Sequence, residues 1–201
     1  NGVFGERMSD VASRYGASVI EMSVNWGETF NQGEVIEKIK SIKNLKAVSV
    51  VHAETSTGAL QDLNHIGNYL KDTDIIFIAD TVTSLSGIEV KTDDWGIDVC
   101  YSGTKKWYSV PPGLSPITFS DKALSKIQQR TTKIASWYLD LTMLINYWGY
   151  ERVYHHTAPV NMLYALNEGL RICHDEGLNR RFTRHKENGD LEWTIHFDCA
   201  D

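Results

Sequence analysis

The segment "DIIFIAD" (74–80) constrains the fold of this 201-residue chain more than any other. Five consecutive apolar residues leave no polar face, so a strand built from them has to be covered on both sides. Comparable strands are expected at "KAVSVVHA" (46–53) and "GIDVCYSG" (96–103), with a shorter one at "SPITFS" (115–120) and another at "ASVIEMSV" (17–24). Helical patterns alternate with them. Phe4, Met8, Val11, Ala12 and Tyr15 fall at helical spacing before Gly16, and "GEVIEKIKSIK" (33–43) is amphipathic. Residues 62–71 place Leu63, Ile66, Gly67 and Leu70 on one side. Beyond Asp121 the pattern is helical in "DKALSKIQQR", "YLDLTMLINYWG" and 160–174. Strand–helix alternation of this kind specifies an α/β fold with a mostly parallel sheet flanked by helices.

Composition narrows the function classes. Hydrophobic residues at 42% and charged residues at 23% are those of a soluble globular domain. A net charge of −6 argues against nucleic acid as a partner, because phosphate neutralisation needs clustered Lys and Arg. The one basic run, "RRFTRHK" (180–186), reads as the solvated face of a helix. No apolar run reaches the roughly 20 residues that span a bilayer, so no membrane role is expected. Cys100, Cys173 and Cys199 are widely spaced and odd in number. That pattern suits free thiols in a reducing, cytoplasmic setting better than disulfides or zinc. Cys100 lies in a strand pattern and reads as a small buried hydrophobe.

In open α/β sheets ligands bind beyond the carboxyl ends of the strands. Three unusual elements stand there: the hydroxyl-rich turn "HAETSTG", Asp80 closing an apolar strand, and the pair Lys105–Lys106 before the stiff "PPG". A carboxylate ending an apolar strand is costly unless it is paired or liganded. Dinucleotide binding is not indicated, since no GxGxxG follows a strand, and "SGTKKW" lacks the spacing of a Walker loop. No His or Cys set suggests a metal, and no GxSxG suggests a serine hydrolase. A lysine, an acid and a hydroxyl turn at one sheet edge are what pyridoxal phosphate requires. The lysine forms a Schiff base and later moves a proton, and the acid keeps the pyridine nitrogen protonated.

Five elements in order make this more specific: "HAETSTG", "IADTVTSLSG", "GIDVCYSGTKKWYSVPPGLSPITFSDKA", "WYLD" and "YHHTAPV". Together they resemble the alanine–glyoxylate/serine–pyruvate aminotransferase family of class V, fold-type I pyridoxal phosphate enzymes. The resemblance runs from Asn1 to about Lys186. It implies that residues 1–158 form the large, cofactor-binding domain and that 159–201 continue as helix toward a C-terminal domain. In the family the Schiff-base lysine precedes Pro-Pro-Gly by four intervening residues, which makes it Lys106. Lys105 stands where the family commonly has a Gln that contacts the cofactor phosphate. By the same correspondence Asp80 faces the pyridine nitrogen, Val82 packs under the ring, and Thr55 supplies a hydroxyl beside it. Tyr154 and Thr157 match a pair that reaches the neighbouring subunit's phosphate, which implies a homodimer. His155 and His156 read as structural, and Trp26, Trp107, Trp137 and Trp148 as core or interface aromatics.

The implied reaction is transamination of a small amino acid, alanine or serine, with glyoxylate or another 2-oxo acid. Two alternatives stay open. One is another class V activity of desulfurase, kynureninase or epimerase type, although desulfurases usually carry His before the lysine. The other is a catalytically silent folded module. The resemblance also places the stacking aromatic, the Gly-rich phosphate turn and the carboxylate-binding arginine of the family outside these residues. The "LEWTIHFDCAD" tail (191–201) does not carry the resemblance.

Overall fold

The computed structural model describes the backbone of residues 1–198 and side chains through Asp190, so Cys199 and the side chains of the 191–201 tail lie outside the described residues. The chain runs through α1 (Val3–Arg14), α2 (Gln32–Ser41), β1 (Ala47–Val51), α3 (Asn64–Leu70), β2 (Ile76–Asp80), β3 (Val99–Tyr101), β4 (Ile117–Phe119), α4 (Asp121–Gln128), α5 (Leu141–Trp148), α6 (Val160–Glu176) and α7 (Leu178–Asp198). The four strands form one sheet in sequence order. β1, β2 and β3 are parallel, with Val51 opposite Asp80 and Asp80 opposite Tyr101, while β4 returns antiparallel to β3. The first three strands therefore end side by side.

Phe77 and Ala79 on β2 are fully buried, packed with Leu63, Ile66 and Leu70 of the α3 segment and with Val35 and Ile39 of α2. The helical stripe expected for 62–71 is thus the core face, at about 1.5–3 kcal/mol for each large apolar side chain removed from water. Gly67 is required by that packing: a Cβ there would collide with the Trp95 carbonyl oxygen of the following turn. Asn31 caps α2 by accepting from the N–H groups of Gly33 and Glu34, and Ser120 caps α4 by accepting from Ala123 N–H at 3.1 Å.

A second device joins α3, β2 and α4. Lys122 pairs with the Asp98 carboxylate at 2.8 Å and donates to the carbonyls of Leu70, Thr73 and Ile75. Asp98 in turn accepts from Phe77 N–H and the Ser120 hydroxyl. One ammonium thereby ties the end of α3 and the turn that follows it, through three carbonyls, to α4.

The structure departs from the sequence expectations in three places. "ASVIEMSV" forms no strand; Val19 and Ile20 are exposed and the segment joins no ladder. Strand propensity does not make a strand without a neighbour to pair with. The apolar stripe of α1 is only partly covered within this chain: Phe4, Met8 and Ala12 are half-buried, Val11 is exposed, and Tyr15 just beyond the helix is 60% exposed. The basic run is not wholly solvated, because Arg181 is buried. Among the described residues no helix is long and apolar enough to cross a membrane.

Candidate active site

Asp80, the last residue of β2, is 8% exposed. Its Oδ1 accepts from Val82 N–H and its Oδ2 from the Tyr101 hydroxyl, both at 2.9 Å. Burial raises its pKa above the usual carboxylate range, the two donors pull it back, and the nearby Glu54 adds to the rise. Tyr101 is pushed far above the ordinary phenol range by burial and by Asp80, so it serves Asp80 only as a donor. No cation pairs with Asp80 among the described residues.

The turn after β1 is held against the turn after β2. Thr55 Oγ1 and Thr83 Oγ1 are hydrogen-bonded, and His52 Nδ1 meets Ser84 Oγ at 2.8 Å. Burial lowers the His52 pKa to about 4, so the ring is neutral near pH 7. Glu54, 1% exposed, accepts from the N–H groups of Phe4 and Gly5 through one oxygen and from Ser56 through the other. That carboxylate anchors the N-terminal end of α1 beside the turn.

The turn after β3 carries the lysine pair and is fixed to the same edge. Ser102 Oγ donates to Thr81 O at 3.1 Å, and Thr81 N–H donates to Tyr101 O at 2.9 Å. Lys105 is exposed; Lys106 is half-buried in a turn closed by Ser109 N–H donating to the Lys106 carbonyl at 3.0 Å. Trp107 Nε1 donates to the Thr83 carbonyl, and Val82 Cγ1 lies 3.6 Å from the position a Cβ on Gly103 would take. The ammonium groups of Lys105 and Lys106 have no ion pair among the described residues.

Thr55, Asp80, Val82 and the lysine turn are thus joined through the 81–84 loop at one sheet edge. Tyr154 and Thr157 are not brought to it. They bond to each other at 3.3 Å, with Tyr154 74% exposed, on the loop before α6. His155, between them in sequence, is buried and stacks on Trp137 at 4.3 Å, its Nδ1 2.9 Å from His156 Nδ1. Trp26, Trp137 and Trp148 are more than half exposed, so none is a core residue of this chain. Cys100 is buried, with its thiol 3.3 Å from Thr81 Oγ1. No described cluster of His, Cys, Asp and Glu suits a metal ion.

Tyr101, Thr83, Glu54 and His52 escape sequence reasoning. Tyr101, Thr83 and His52 act through partners on neighbouring strand ends and Glu54 through the start of α1, all brought near only by the fold, and a phenol after a cysteine carries no signal of its own.

The residues present fit pyridoxal phosphate. A buried carboxylate with no cation partner suits a pyridinium N–H, and an unpaired lysine stands on the adjoining turn. Comparison with known proteins agrees. The family description "Aminotransferase class-V" matches residues 7–190. The (S)-ureidoglycine–glyoxylate transaminase of Bacillus subtilis is 39% identical over 205 residues, covering 93% of this chain and 49% of that protein. The alanine–glyoxylate aminotransferase of Rattus norvegicus is 40% identical over 190 residues, covering 93% of this chain and 46% of the relative. The crystal structure of an alanine–glyoxylate aminotransferase from Nostoc sp. superposes with a TM-score of 0.95 at 44% identity, over 99% of this chain and 52% of that one. The chain therefore spans about half the length of the relatives it matches.

Proposed function

The chain belongs to the class-V aminotransferase family, and on that premise we propose that its sheet edge holds pyridoxal phosphate and transfers an amino group from a small amino acid, alanine or serine, to glyoxylate or another 2-oxo acid. The cofactor, when bound, supplies an electron sink for charge developing at the amino acid's α-carbon. Lys106 would hold it covalently through Nζ and afterwards take and return the proton at that carbon. The Asp80 carboxylate would keep its ring nitrogen protonated, and Val82 and the Thr55 hydroxyl would support the ring. Lys105 offers a cation to the phosphate where relatives commonly offer an amide. Tyr154 and Thr157, exposed here, reach the phosphate of a second subunit in a homodimer.

The observation that carries this reading is Asp80: a buried carboxylate with two neutral donors and no cation, on a strand end next to an unpaired lysine. A desulfurase-type nucleophile has no support from Cys100, which is 5% exposed.

Borohydride reduction of the intact protein with pyridoxal phosphate, followed by peptide mapping, tests the assignment. Label is expected on Lys106. Lys106→Ala should abolish the yellow colour of the bound cofactor, and Lys105→Ala should only weaken its retention. Label on Lys105 would overturn the assignment.

A further inference from the structure

Arg181 is one of the most deeply placed charges in the chain, 5% exposed, and the proposed reaction gives it no role. Its guanidinium joins three segments. Nε donates to the Ser86 carbonyl at 3.0 Å, one terminal nitrogen donates to the Trp107 carbonyl, and the other pairs with Glu176 at 2.9 Å. Ser86 ends the loop that follows Asp80, and its φ of 70° lies in the left-handed region that a non-glycine residue occupies only under constraint. Trp107 is the residue directly after Lys106.

The same tryptophan is held from its other end. Its indole N–H donates to Thr83 O, its ring covers Gly87 so closely that a Cβ there would collide with it, and His185 of α7 packs edge-on at 4.2 Å. Further along the turn, a Cβ on Gly169 of α6 would stand 2.8 Å from the Tyr108 carbonyl. The lysine turn is therefore braced by α6 and α7, and among the described residues Arg181 is the charged group of this brace that bonds both turns.

We infer that Arg181 is a positioning residue for Lys106: by bonding the Ser86 and Trp107 carbonyls together it fixes the lysine turn relative to the Asp80 turn. This rests on the proposed role of Lys106. Its planar fork makes the arrangement specific, since a lysine ammonium at the same place keeps the charge for Glu176 but cannot span two carbonyls in fixed geometry. Loss of the bridge leaves two carbonyls without that donor and frees the Trp107–Tyr108 peptide, next to Lys106, to shift, and a displacement of about 1 Å at a reacting group can cost roughly a hundredfold.

The test compares Arg181→Lys and Arg181→Met in the intact protein, with Arg180→Gln, an exposed neighbour, as control. In the cofactor-free protein, amide exchange at 107–110 should quicken about tenfold or more in both variants and stay unchanged in the control. With pyridoxal phosphate as the probe, the pH midpoint of the bound cofactor's absorbance should move by about half a unit or more. Turnover should fall about tenfold or more, with KM for the amino acid little altered. If Arg181→Met fails to fold, Arg181→Lys decides alone. Wild-type exchange would overturn the inference; so would faster exchange with an unmoved midpoint, which makes Arg181 purely structural. Failure of wild-type protein to trap cofactor on Lys106 refutes the proposed function instead, and borohydride mapping separates the two.

Discussion

Burial raises the pKa of Asp80 while the Val82 N–H and the Tyr101 hydroxyl lower it, so the charge on this carboxylate depends on what binds against it. In the proposed site a protonated ring nitrogen would be that counterpart. Asp80→Asn should leave cofactor binding detectable, because an amide still accepts a hydrogen bond, but it cannot hold a proton on the ring by charge. Stopped-flow measurement of proton loss from the amino acid is expected to show a fall of roughly a hundredfold or more. Near-normal turnover would remove Asp80 from the mechanism. His52 carries a second residue-scale consequence. An unfolded chain binds a proton at His52 near pH 6.5, but the folded protein resists until about pH 4. The stability gained from the neutral ring is complete above about 6.5 and is lost as pH falls toward 4, up to about 3 kcal/mol. His52→Gln keeps a partner for Ser84 and should flatten the dependence of the unfolding midpoint on pH between 4 and 7; an unchanged slope refutes this.

The elements of the fold differ in how far the sequence discloses them. β2 and the α3 segment were legible because their patterns are local: five apolar residues in a row, of which the structure buries Phe77 and Ala79 and half-buries the three isoleucines, and Leu63, Ile66, Gly67 and Leu70 on one side, all four buried. Lys106 and Asp80 were singled out from the spacing to Pro-Pro-Gly and from the acid closing an apolar strand, and the structure sets their two turns against each other through the 81–84 loop. The "ASVIEMSV" segment was misread, since a strand is a property of a pair and the sequence shows only one member. Arg181 was misread for the same reason: its partners, Ser86 and Trp107, are 95 and 74 residues away. Lys122 likewise gave no signal, although it ties α4 to the end of α3. Lys122→Met should leave the Asp98 carboxylate buried without its cation and remove the lysine donor from the Thr73 and Ile75 carbonyls, while Leu70 O keeps Thr73 as its donor. The expected loss is about 2–4 kcal/mol, read as a lower thermal midpoint. A change within experimental scatter would show the network to be dispensable.

At the scale of the whole molecule, the exposed aromatics cluster between Trp137 and Tyr164, on the same stretch as Tyr154 and Thr157. A monomer seldom leaves so many large apolar side chains in water. The proposed homodimer covers them and brings Tyr154 and Thr157 to a neighbour's cofactor. Subunit mixing tests this directly. Lys106→Ala subunits lack the lysine but keep the Tyr154 pair, and subunits with Tyr154→Phe and Thr157→Val keep the lysine but lack the pair. Equal mixing after dissociation should restore about a quarter of wild-type activity, from one competent site in each mixed dimer. Activity no greater than the sum of the two parents would place Tyr154 and Thr157 in their own subunit's site, or in neither.

The reversal of the sheet at β4 bears on the order in which the molecule is made. Parallel neighbours such as β1 and β2 meet only after a long crossover, which delays their pairing in a folding chain. β3 and β4 need no crossover: Ser102 N–H donates to Pro116 O and Thr104 N–H to Leu114 O across a short antiparallel connection. The lysine lies inside that connection. It belongs to the part of the sheet with the shortest separation along the chain, while Asp80 ends β2, which reaches β3 only through a parallel crossover. The turn that carries Lys106 can be set before the rest of the proposed pocket exists, and that pocket would be completed by bringing Asp80 to it.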